Sequence, residues 1–107
     1  MSGLGEMGNL LKQAQEMQRQ LDRVRGELKE RVVSGTAGGG VVRVEVSADR
    51  HEVHGVEVAP EILAQNDPQL LNDLLKGALQ DALRRAGEVE KTELGKVTGG
   101  MQLPGMF

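Results

Sequence analysis

The sequence contains no cysteine, tryptophan or tyrosine, and its single aromatic residue is Phe107. The missing cysteine excludes disulfides and thiolate metal sites, and it fits a reducing cytoplasm. The missing Tyr and Trp remove base stacking, which weighs against sequence-specific binding of single strands. No stretch approaches the ~18 apolar residues that a membrane span needs. The start, Met-Ser-Gly-Leu-Gly-Glu, lacks the basic residues and apolar core of a signal peptide. Positive charge is not in excess either. Thirteen Lys/Arg face 16 Asp/Glu, for a formal net charge of −3. That balance argues against bulk attraction to nucleic acid or anionic lipid. It is uneven, with eight Lys/Arg against seven Asp/Glu in residues 1–50 and five against nine in 51–107. A core of Leu, Val, Ala and Met fills space poorly. The 107 residues are therefore expected to form one domain, 1–107, that gains buried area as a symmetric dimer.

What the chain does have is an apolar seam. Leu10, Ala14, Met17, Leu21, Val24 and Leu28 recur at steps of four and three, a heptad pattern that places them on one stripe of a helix. The predicted helix starts at Asn9 as N-cap and runs to Lys29 or Arg31, about 33 Å. Its stripe is narrow, so it must lie against one other surface, in this chain or in a second copy. Residues 1–8 are Gly-rich and are expected to fray.

Arg31 to Ala37 loses the helical periodicity, and its β-formers Val32, Val33 and Thr36 read as a first strand. Gly38-Gly39-Gly40 makes a turn, and Val42, Val44 and Val46 alternate with polar residues in a second strand. Val53, Val56 and Val58 suggest a third, with Gly55 marking a bulge. Pro60–Leu63 is a helical turn. Asp67-Pro68 then supplies N-cap and N1 for a second long helix, Leu70 to about Glu93 or Leu94. Its apolar stripe is broad enough to cover a sheet. The tail from Thr98 to Phe107 is either loose or docked on a partner.

Candidate chemistry is sparse. Gly38–Gly40 precedes a strand and no Gly-Lys-Ser/Thr follows, so a hairpin turn is favoured over a phosphate cradle. His51 and His54 point to opposite faces of a strand and read as surface imidazoles, not metal ligands. No catalytic constellation, metal site or cofactor site is expected, nor a small-molecule substrate. Lys12, Arg19, Arg23, Arg25, Lys29 and Arg31 on the first helix can meet phosphates. On residue types alone, and with the net negative charge, a solvated face laced with pairs to Glu16, Asp22, Glu27 and Glu30 is favoured. Lys76, Arg84 and Arg85 on the second helix pose the same choice.

Several stretches together resemble the YbaB/EbfC family of bacterial nucleoid-associated proteins. They are Leu-Leu-Lys-Gln-Ala-Gln-Glu-Met-Gln (10–18), Ser-Gly-Thr-Ala-Gly-Gly-Gly-Val-Val (34–42), Val-Glu-Val-Ala-Pro-Glu-Ile-Leu (56–63), Asp-Leu-Leu-Lys-Gly-Ala-Leu-Gln-Asp-Ala-Leu (73–83) and Thr-Gly-Gly-Met-Gln-Leu-Pro-Gly-Met-Phe (98–107). The resemblance implies an α+β fold, an α-β-β-β-α protomer with a three-stranded antiparallel sheet and two long helices. It also implies a tweezer-like homodimer, binding to double-stranded DNA, a place in the bacterial cytoplasm and nucleoid, and no enzymatic activity. Through the family's long helices it points to Lys12, Arg19, Arg23, Arg25, Lys29, Lys76, Arg84 and Arg85.

Two copies are expected to join through the sheets and the helix faces packed on them, namely Val42, Val44, Val46, Val56, Val58, Leu21 and Leu28. Without aromatic wedges, bridging or coating of DNA is the expected mode rather than kinking. The competing reading is a protein–protein adaptor that uses the heptad helix and the apolar tail, with DNA contact incidental.

Overall fold

The computed structural model describes residues 2–99, with side chains from Gly5 onward. Six elements follow one another: α1 (Ser2–Glu30), β1 (Val32–Ala37), β2 (Val42–Ser47), β3 (Val53–Val58), α2 (Pro60–Ala64) and α3 (Pro68–Val97). The strands form one antiparallel sheet in the order β1-β2-β3. This is the α-β-β-β-α protomer expected from the sequence.

The turns show why these residues form this meander. Gly38, Gly39 and Gly40 all take positive φ, which residues with a Cβ rarely adopt. The β2–β3 turn has no glycine, and Arg50 carries the left-handed conformation at φ 65°. Ser47 holds that turn. Its Oγ accepts from the backbone N–H groups of His51 (3.2 Å) and Glu52 (3.0 Å), and it donates to Asp49 Oδ1 at 2.5 Å. Between β2 and β3 the register shifts, pairing Glu45 with Gly55 and Val46 with Val53. His54 is the extra residue, one position from the glycine expected to mark the bulge.

Val42, Val44 and Val46 turn to one face of the sheet and are fully buried there. Ala78, Ala82 and Ala86 of α3 lie on them. The approach is close because both surfaces are small. A Cβ built on Gly35 would sit 2.1 Å from the Ala82 backbone nitrogen. Asp67 caps α3 by accepting from the Leu70 N–H at 3.1 Å, and Pro68 occupies the first turn, as the sequence predicts.

A second cluster joins the helices. Leu21, Val24 and Leu28 of α1 are buried with Ala48 and Leu94, and Met17, Val89 and Val97 pack around them. Burying each such Leu contributes about 1.5–3 kcal/mol. The seam therefore meets its partner only in its C-terminal half. Leu10 and Leu11 remain 65% and 63% exposed, on a molecule 77 Å long and 22 Å across.

Three expectations are corrected. α1 begins at Ser2 rather than Asn9. Once a helix is anchored, each added residue gains a hydrogen bond without a new nucleus, and that carries it through Gly5 and Gly8. α3 continues through Gly95 to Val97, because Leu94 and Val97 pack on α1 and outweigh the ~1 kcal/mol that a helical glycine costs. Finally, Val42, Val44, Val46, Leu21 and Leu28 are buried inside the protomer, which leaves them almost no surface for a second copy. Val58 is half-buried, and of the seven expected interface positions only Val56 is open.

Candidate nucleic-acid interface

On α1, Lys12, Arg19 and Arg23 are seven and four residues apart, so they share one stripe. That stripe lies on the side of the helix away from the buried seam of Leu21, Val24 and Leu28. All three are exposed. Arg25 and Lys29, one turn apart, flank it. On α3, Lys76 and Arg84 are exposed, and the exposed Lys91 falls on the same stripe seven residues after Arg84. Lys91 was legible from spacing alone and was missed.

Most of the arginines are already paired. Arg19 meets Glu16 at 3.0 Å, Arg23 meets Glu27 at 3.0 Å, and Arg25 lies 3.9 Å from Asp22. Arg31 reaches Glu93 at 3.7 Å. Arg84 bridges Asp81 (2.8 Å) and Glu88 (3.0 Å), and Arg85 bridges Asp81 (3.2 Å). The laced face expected from the sequence is thus present. It does not remove these cations from use. An exposed ion pair is worth about 0–1 kcal/mol, so a phosphate can replace the carboxylate at small cost. Lys12, Lys29, Lys76 and Lys91 form no ion pair among the described residues.

Asp81, like the helix cap Asp67, has a structural task. Its Oδ2 accepts from the Thr36 backbone N–H at 3.0 Å, tying α3 to the edge strand β1. That hydrogen bond first, and the Arg85 guanidinium next, hold its carboxyl below the ordinary 3.8. Asp49 is likewise held low, chiefly by the Ser47 hydroxyl.

The structure gathers the remaining positions into two clefts rather than one site. Arg31 and Arg85 both line an open groove between β1 and α3, with Ser34, Glu88 and Thr92. Arg25 shares a second hollow with Asp49, Arg50, His51 and Glu90. Arg50, 3.1 Å from Glu90, is a missed cation. Nothing in the sequence marked it, because its place depends on the turn. His51 pairs with Asp49 at 3.3 Å, and no metal-binding group of three His, Asp or Glu occurs among the described residues.

Charge is sorted along the chain. α1 and α3 each hold five cations and five anions, whereas residues 31–67 hold three arginines and six acids. The acidic excess of three therefore lies wholly in the sheet and its connections, and both long helices are neutral.

One apolar strip stays uncovered. Val56 pairs with the buried Val44 and Val53 with Val46, so both share the core face of the sheet, yet they are 52% and 59% exposed. Leu79 and Leu83 of α3 are also exposed. Glu90, three turns beyond Leu79, reaches Arg50 in the β2–β3 turn, whereas Asp81 reaches β1 on the other flank. The Leu79–Leu83 flank therefore faces β3, and the four side chains border one strip.

Comparison with known proteins agrees with this architecture. An uncharacterised protein from Helicobacter pylori, solved by crystallography, superposes with a TM-score of 0.71 at 21% identity, covering 89% of this chain and 96% of its own. At that identity the likeness concerns the fold. Sequence relatives are nearer. A nucleoid-associated protein of Alkaliphilus metalliredigens is 41% identical over all of this chain and 93% of its own length. One of Acetivibrio thermocellus is 43% identical over 96% of this chain and 91% of its own. A family model described as the YbaB/EbfC DNA-binding family matches residues 3–101. The chain belongs to the YbaB/EbfC DNA-binding family.

Proposed function

We propose that this protein binds double-stranded DNA as a homodimer, with low sequence specificity and without catalysis, and takes part in organising the bacterial nucleoid or in gene expression. The family match over residues 3–101 carries the reading. The names of the relatives support the nucleoid as its place. Cations on α1 and α3 would neutralise phosphates and release counterions, with the acidic sheet region turned away.

The exposed strip of Val53, Val56, Leu79 and Leu83, which a twofold copy would cover, supports dimerisation. The interface proposed from the sequence is revised accordingly. Val56 stays in it, with Val58 at its margin. Val53, Leu79 and Leu83 replace Val42, Val44, Val46, Leu21 and Leu28.

The test is the double substitution Arg19→Ala/Arg23→Ala. It should weaken binding to unrelated duplexes alike and lower the salt slope by about 1 for each phosphate no longer neutralised. Binding equal to wild type at every salt concentration would remove α1 from the interface.

The exposed Met7, Leu10 and Leu11 favour a second reading, an adaptor that engages another protein through α1 and the tail. Deleting Met101–Phe107 separates the two. Loss of partner capture with intact DNA binding would favour the adaptor, whereas loss of DNA binding on deletion would count against DNA contact being incidental.

A further inference from the structure

We propose that the N-terminal arm of α1 pairs with the same arm of a second copy, as an antiparallel two-helix contact through Met7, Leu10 and Leu11. The inference is independent of DNA binding.

The first observation is the pattern. Met7 lies three residues before Leu10 and seven before Ala14, so it extends the heptad seam by one position toward the N-terminus. Leu11 flanks it. A seam at steps of three and four is shaped to receive another helix.

The second is what already lies on that seam. Arg31 lines a groove with Arg85 and Thr92, and Val24 lines another with Glu93. Leu94 and Val97 join the cluster on which Met17 packs. As α3 advances, its neighbours step backward along α1, so the two helices are antiparallel. α3 ends at Val97, and Gly99 takes φ 65°, the left-handed conformation that closes a helix. Beyond Met17 the seam keeps its spacing, yet every side chain from Gly5 to Glu16 is exposed.

The third is charge. Residues 7–15 carry a single charge, Lys12, two positions from both Leu10 and Ala14 and therefore on the far side of the helix. A foreign helix would find no charge on this stripe to select it. Two copies of the stripe meet without like-charge repulsion. A twofold axis between residues 8 and 9 sets Met7 of each arm against Leu10 of the other. The second copy's helix, starting at Ser2, then reaches only to residue 15, clear of Met17 and α3.

A contact of about two heptads is weak by itself. It is also separate from the strip of Val53, Val56, Leu79 and Leu83. A chain that used both surfaces would join the proposed dimers arm to arm into larger assemblies, in which several weak contacts act together.

The absence of cysteine makes a test of register available. Isotope-labelled full-length Met7→Cys is mixed with an equal amount of unlabelled Leu10→Cys and oxidised mildly, and the bridged products are separated by mass. The mixed product should exceed either like-with-like product by at least about tenfold, where chance collision gives about twofold, since a bridge needs Cα atoms within about 7 Å. A chance ratio or no bridged product would overturn the contact, and dominance of like-with-like products would overturn its antiparallel direction. A second measurement needs no cysteine. The mass of the unsubstituted protein by light scattering should rise at least about 1.3-fold between about 10 and about 500 µM. Met7→Ala/Leu10→Ala/Leu11→Ala, which keeps helix propensity, should show no rise. A constant mass for the unsubstituted protein, or an equal rise in the variant, would overturn the proposal. Neither measurement contains DNA, so failure here leaves the proposed function standing.

Discussion

A Cβ added at Gly35 would lie 2.1 Å from the Ala82 nitrogen and 2.5 Å from the Ala78 carbonyl oxygen. Those are backbone atoms of a packed helix and cannot swing aside. Gly35→Ala should therefore lower stability by at least about 2–3 kcal/mol in urea unfolding, as overpacking does. The sequence marked Gly38–Gly40 as a turn but gave no warning of Gly35. A glycine inside a strand shows its purpose only when the element crossing it is known. Asp81 and Asp49 carry a second prediction. Both carboxyls are held below 3.8 in the folded protein, so the stability they contribute is present above about pH 4 and lost as pH falls through their folded values. Unfolding midpoints should be level from pH 7 to about 5 and drop below about 4. Asp81→Asn, which cannot ionise, should reduce that drop.

α1 shows how much of an element a pattern reveals. The heptad was legible, and Leu21, Val24 and Leu28 are buried as a seam should be. How far along the seam a partner runs was not legible, because it depends on where α3 passes, and α3 reaches only as far as Met17. β2 shows the same limit. Alternation identified Val42, Val44 and Val46 as an apolar face, but alternation does not say whether that face meets a helix of the same chain or a second molecule. Ala78, Ala82 and Ala86 decide it, since their small side chains let α3 lie directly on β2. On β3 the helix does not reach, and Val53 and Val56 stay open. Val56→Asp/Leu83→Asp should therefore halve the mass seen by light scattering at micromolar concentration. Removing two buried interface side chains at about 2 kcal/mol each weakens association by roughly a thousandfold. The circular dichroism of the protomer should be unchanged. A dimer that survives this pair would move the interface elsewhere.

For the whole molecule, net charge misleads. The formal −3 comes from residues 31–67, while each long helix is neutral and exposes cations along its length. Affinity for a polyanion depends on where the cations lie, and in the proposed dimer the long helices would present them at a fixed spacing. The cation-bearing helix faces were legible in the sequence. Which arginines are engaged was not, because Arg31 and Arg50 find Glu93 and Glu90 only through the packing of α3. The most direct measurement is a titration of the protein into labelled duplex DNA at 50 and 200 mM salt, with mass by light scattering. A dimer that binds unrelated duplexes alike at low salt and loses about 10³ or more in affinity at high salt is the predicted result, as many phosphate contacts require. No binding at 50 mM, or affinity indifferent to salt, would contradict it.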